Sequence, residues 1–127
     1  MPRCSLASFL LLTLAAAACG GADTAPSPTR TATIRVADET FRIALTTADQ
    51  VAAAEAAKAG RGPRIPNGRI VAGTGVNTGW SWHLVDVEFA DATIELCDGR
   101  PSDVEKAGPA YGGGRYCPWG ATITAIE

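Results

Sequence analysis

An unbroken run of 13 apolar or small residues, Leu6–Ala18, stops at Cys19 and limits what the rest of this 127-residue chain can become. A single cation, Arg3, stands in front of it. A helix of that length rises about 20 Å, short of the roughly 30 Å hydrocarbon core of a bilayer. The run therefore reads as the h-region of a signal peptide over residues 1–18, and not as a membrane span.

The end of the run, "LAAAACGG", resembles a bacterial lipobox, in which the cysteine thiol is acylated and the leader is cut just before it. A bulky aliphatic residue is usual three places ahead of that cysteine. Here the place holds Ala16, so plain cleavage at an Ala-x-Ala site is the alternative. Lipidation of Cys19 would make the protein a membrane-anchored lipoprotein of the bacterial cell envelope; without it the chain would be secreted or periplasmic. Four cysteines are present. Cys4 leaves with the leader and Cys19 takes the lipid, so Cys97 and Cys117 remain as an even pair in an oxidising compartment. That parity predicts a disulfide; two buried thiols or a metal pair are the alternatives.

Residues 19–33, "CGGADTAPSPTRTAT", are small, polar or proline and carry no apolar period, which predicts a flexible tether. Residues 34–127 remain as one small domain, of a size at which a single cross-link matters. Of the 11 Lys and Arg, Arg3 leaves with the leader; ten then face 13 Asp and Glu, a net charge of −3. That balance argues against a nucleic-acid partner.

"TFRIALTT" (40–47) alternates Phe41, Ile43 and Leu45 with polar or small residues, the pattern of a half-buried strand. It runs into an alanine-rich helix that Thr47 and Gln50 cap as a box and Gly60 ends. Asn67-Gly68 predicts a turn inside a loop over 60–69, and a short strand over 69–76 follows. In the next strand the apolar set changes face at Leu84–Val85, which predicts a bulge or bend near Asp86. "ATIELCD" (92–98) reads as a strand with Ile94 and Leu96 inward. "PSDVEKAG" (101–108) reads as a short helix with Ser102 and Glu105 as a second capping box. "ATITAIE" (121–127) closes the chain as a strand, central or tied down. The order β-α-β-β-β-α-β predicts an α+β domain with a mainly antiparallel sheet.

Catalytic sets are thin. His83 is the only imidazole, and Cys97 is the natural disulfide partner of Cys117, so a Cys–His nucleophile has little support. A hydrolase would have to use His83 with a carboxylate such as Glu95 or Asp98. A protease-inhibitor loop at Arg61–Arg69 is a further alternative. One histidine cannot build a zinc site, and Asp86, Glu88, Asp91, Glu95 and Asp98 follow no calcium-loop spacing, so no metal or cofactor is expected. Trp80, Trp82 and Trp119 are either core on the disulfide, with their N–H groups hydrogen-bonded, or an exposed recognition patch. The reading that fits best is a non-enzymatic binding module with an unidentified envelope ligand or protein partner.

"GWSWHL", "VEFAD", "TIELCDGRPSDVE" and "YCPW" together resemble the N-terminal domain family named after BP-seventy-four, a slime-mould calmodulin-binding protein. The resemblance covers residues 40–127. It falls on Gly79–Leu84, on Phe89, Glu95, Cys97, Asp98, Gly99 and Pro101, and on Cys117–Trp119. It implies that Trp80, Trp82, His83 and the cysteine pair act as one structural unit. It implies no activity, and calmodulin binding is not carried over to an exported bacterial domain.

Overall fold

A computed structural model describes residues 29–127. The expectations for the leader, for Cys19 and for most of the tether fall outside them. Two three-stranded antiparallel sheets and two helices make up the fold, in agreement with the α+β class. The first sheet has the order β2-β1-β6, from β1 (Arg30–Val36), β2 (Glu39–Leu45) and β6 (Ala121–Ile126). The second has the order β4-β3-β5, from β3 (Ile65–Ala72), β4 (Trp82–Ala90) and the two-residue β5 (Arg115–Tyr116). Helix α1 (Ala48–Lys58) lies between β2 and β3 in the chain and touches β2, β6 and β4, so it packs on both sheets. Helix α2 (Pro101–Ala107) packs on β2.

Period-two burial fixes which face of each strand turns inward. Ala32, Ile34 and Val36 of β1 and Phe41, Ile43 and Leu45 of β2 are buried, and their neighbours are not. The second sheet answers with Ile70, Trp82, Leu84 and Val87. Phe41, Trp82 and Tyr116 meet at the centre with ring centroids 5.2–5.8 Å apart, spacing at which tilted and edge-on pairs attract beyond simple burial. Thr47 and Gln50 cap α1 as a complete box. Only Ala54 of that helix is fully buried, since small side chains let the backbone come close.

The bend near Asp86 is present. Asn67 pairs with Glu88 but Arg69 pairs with Val85, so Gly68 alone faces two residues of β4. Asp86 takes a φ of 52°, a left-handed conformation that a bulge residue can hold. This moves the buried set from Leu84 to Val87 without turning the strand out of the core.

Several expectations give way. Asn67-Gly68 is not a turn but lies inside β3. A Cβ on Gly68 would stand 2.9 Å from Leu84 Cβ and 3.1 Å from Val87, so the bulge needs a glycine opposite it. Residues 30–33, placed in the tether by composition, are the start of β1 and the middle strand of their sheet. The strand expected over 92–98 is a 3₁₀ turn, Glu95–Cys97, with Ile94 and Leu96 each 65% exposed instead of inward. In α2 the N3 carboxylate is Asp103, which accepts the Arg100 N–H at 2.9 Å. Ser102 and Glu105 bond elsewhere. Strand β6 is an edge strand, tied down by a reciprocal pair of 2.9 Å hydrogen bonds between Thr31 and Glu127.

Candidate functional site

The disulfide joins Cys97 to Cys117, as parity predicted. Around it, "CDG" and "YCPW" are laced together by backbone groups. Cys117 N–H donates to the Cys97 carbonyl at 2.8 Å, and Trp119 N–H to the Asp98 carboxylate at 2.8 Å. The Tyr116 hydroxyl donates to the Gly99 carbonyl at 2.8 Å, and the Tyr111 hydroxyl to the Asp98 carbonyl. A Cβ on Gly112 would lie 2.8 Å from Cys97 Cα, which is why the glycine-rich loop is glycine there. Burial pushes the Tyr116 phenol far above its ordinary range, with Tyr111 and nearby carboxylates adding to it. Tyr111 shifts the same way, again first through burial and then through Asp103 and Asp98. Both phenols therefore stay protonated donors.

The three tryptophans separate. Trp82 is core, 2% exposed. Its N–H has no hydrogen-bond partner, which departs from the expectation of bonded indoles. Phe41, Tyr116 and Trp80 surround it at 5.6–6.1 Å, leaving aromatic faces as weak acceptors. Trp80 is half-buried and donates to the Thr40 carbonyl at 2.9 Å. Trp119 is 45% exposed, with its N–H held by Thr93 Oγ1 at 2.6 Å.

His83 stands at the start of β4 with Nδ1 2.6 Å from the Gly73 carbonyl, which makes Nδ1 the protonated nitrogen. Gly75 closes over the ring: a Cβ there would be 2.9 Å from His83 Cγ. The 340 Å³ hollow that His83 lines contains Asp86, but neither Glu95 nor Asp98. Asp98 is spent on Trp119, and Asp86 pairs with Arg69 at 3.2 Å. The dyad a His83 hydrolase requires is therefore not assembled by hydrogen bonding. Arg69 belongs to β3, which begins at Ile65, so the open loop of an inhibitor reading shrinks to residues 61–64. Among the described residues no group of three His, Cys, Asp or Glu side chains comes together to hold a metal.

A carboxylate and an amide that sequence reasoning missed, and a second carboxylate it assigned to a helix cap, hold this region. Glu39 accepts from Ser102 N–H and hydroxyl at 2.8 and 2.7 Å, fixing α2 to β2. Glu105 accepts from Ser81 N–H and hydroxyl at 3.0 and 2.8 Å, fixing the Trp80–Trp82 segment to α2. Asn77 is fully buried. It accepts from Arg42 N–H at 2.8 Å and donates to the Trp82 carbonyl at 2.9 Å, bolting one sheet to the other.

A groove of about 440 Å³ opens beside Trp119, lined by Arg64, Ile65, Asp91, Trp119, Ala121 and Thr122. One wall is the start of β3 and the other the start of β6. A second hollow of about 180 Å³ shares Arg64, Ala121 and Thr122 and adds Lys58. Among the described residues, Arg64, Asp91 and Lys58 have no ion-pair partner.

A family model, the BP-seventy-four N-terminal domain, matches residues 28–127. The chain belongs to this family. The match takes in every motif quoted above, from Gly79–Leu84 to Cys117–Trp119, and it also covers β1. No match is found among curated proteins or among solved structures. Within this BP-seventy-four N-terminal domain the disulfide knuckle and Trp82 are interior, and Trp119 is the motif tryptophan that is exposed.

Proposed function

We propose that this domain is a non-enzymatic binding module of the bacterial cell envelope, exported and held at the membrane by an acyl group on Cys19. Its ligand surface is the face that carries Trp119. The observation behind this reading is an indole that is rigid and yet open. Its N–H and its backbone N–H are both bonded, so the ring cannot turn inward, and 45% of the residue stays in water. A large apolar surface fixed before binding loses little freedom on contact, the property that makes tryptophan a common binding anchor. The disulfide agrees with an oxidising compartment.

The test has two parts. Intact mass of the mature protein, before and after reduction, reads acylation at Cys19; a mass equal to the bare polypeptide from Cys19 rejects the anchor. Envelope extract is fractionated over immobilised protein and over its Trp119→Ala variant. Retention of the same components by both rejects the Trp119 surface.

A further inference from the structure

Resting on the binding-module reading, we infer that the groove beside Trp119 takes an acidic oligosaccharide, one whose sugar rings carry carboxylates. The groove offers one aromatic face, and that face has no free donor because its N–H is bound to Thr93. A pyranose ring has an apolar face that stacks on such a surface and a rim of hydroxyls, each both donor and acceptor. The rim needs partners of both kinds. Arg64 supplies donors only and Asp91 acceptors only, and both line the same groove without pairing to each other. Two opposite charges left apart at one opening suit a ligand that satisfies both.

The neighbouring hollow decides the charge. It continues past Arg64 and adds Lys58, so two cations stand along the path against the single carboxylate of Asp91. A sugar carboxylate meets the planar fork of Arg64 or the Lys58 ammonium. The size also fits: about 440 Å³ falls within the range of small-molecule sites, and the second hollow extends it along a chain.

The probes are an oligogalacturonate tetramer and its carboxyl-reduced, neutral counterpart, titrated by calorimetry into the disulfide-intact protein. We expect saturable binding of the acidic tetramer and weaker binding of the neutral one. Trp119→Ala weakens both by about tenfold or more, and Trp119→Phe, which keeps the ring face, retains most of the affinity. Lys58→Gln weakens the acidic tetramer several-fold and leaves the neutral one unchanged; Arg64→Gln weakens both, the acidic one more, and Asp91→Asn weakens both. No saturable binding of either tetramer up to on the order of 10 mM overturns the inference, as does binding that Trp119→Ala leaves intact. A hexaglutamate peptide separates the two readings. Trp119-dependent binding of the peptide with none of the sugar rejects the saccharide and keeps the binding module. A surface that binds none of the three probes and retains nothing from envelope extract rejects both.

Discussion

Trp82 and Trp119 are the same side chain in opposite service. Trp82 sits where both sheets converge, ringed by Phe41, Tyr116 and Trp80, and leaves its own N–H without an acceptor. Trp119 lies two residues beyond Cys117, with both its N–H groups satisfied and its ring face in water. A lone buried donor costs about 1–3 kcal/mol, so Trp82 is kept for its volume and not for its polarity. Trp119 has the reverse balance. Its polar atoms fix it, and a large part of its apolar surface is left in water. Chemistry that ends inside the fold stabilises it; chemistry that ends outside is available to something else.

Substitutions can break that contrast or sharpen it. Trp82→Ala should cost about 3–5 kcal/mol, the range for emptying a large aromatic site, read as a lower denaturant midpoint at unchanged slope. Reducing the Cys97–Cys117 bond, or replacing both cysteines with alanine, should cost about 3 kcal/mol by the same measurement. That would show how far the Trp119 loop depends on the knuckle. Asn77→Ala strands the Arg42 N–H and the Trp82 carbonyl and should cost about 1–3 kcal/mol. Alkaline titration probes the buried phenol. The Tyr116 phenol lies far above its unfolded value of about 10, so the folded state holds a proton that the unfolded chain has lost above that pH. Stability should stay level up to about pH 10 and fall above it; a rise there would contradict the burial of Tyr116. Trp119→Ala should have the smallest effect on stability, within about 1 kcal/mol, while abolishing retention of ligand. An unfolding midpoint as low as that of Trp82→Ala would erase the distinction between the two residues.

The interior was the more legible half in sequence. Alternation over 40–47 gave β2, the Thr47–Gln50 box gave the start of α1, and the change of face at Leu84–Val85 gave the bulge at Asp86. Cysteine parity gave the cross-link. These signals are local or arithmetic. What escaped depended on partners distant in the chain. "RTATIRV" is a weak strand by itself and becomes the middle of a sheet because β2 and β6 flank it. "ATIELCD" has strand composition, yet the bond to Cys117 and the close approach of Gly112 hold it as a turn with Ile94 and Leu96 outside. Of the candidate cluster, Trp80, Trp82 and His83 were found together on one segment. Arg64 lies in a loop and Asp91 at the end of "VEFAD", and only folding brings the two beside Trp119, with Lys58 in the adjoining hollow.

The register of β6 sets a direction for the whole molecule. Ala121 stands opposite Val36 and Ile126 opposite Ala32, so Arg30 shares a pole with the last residues while Trp119 emerges at the other. Six residues of strand span on the order of 20 Å. A domain leashed through the residues ahead of Arg30 would thus carry Trp119 at the end of the sheet farther from the leash.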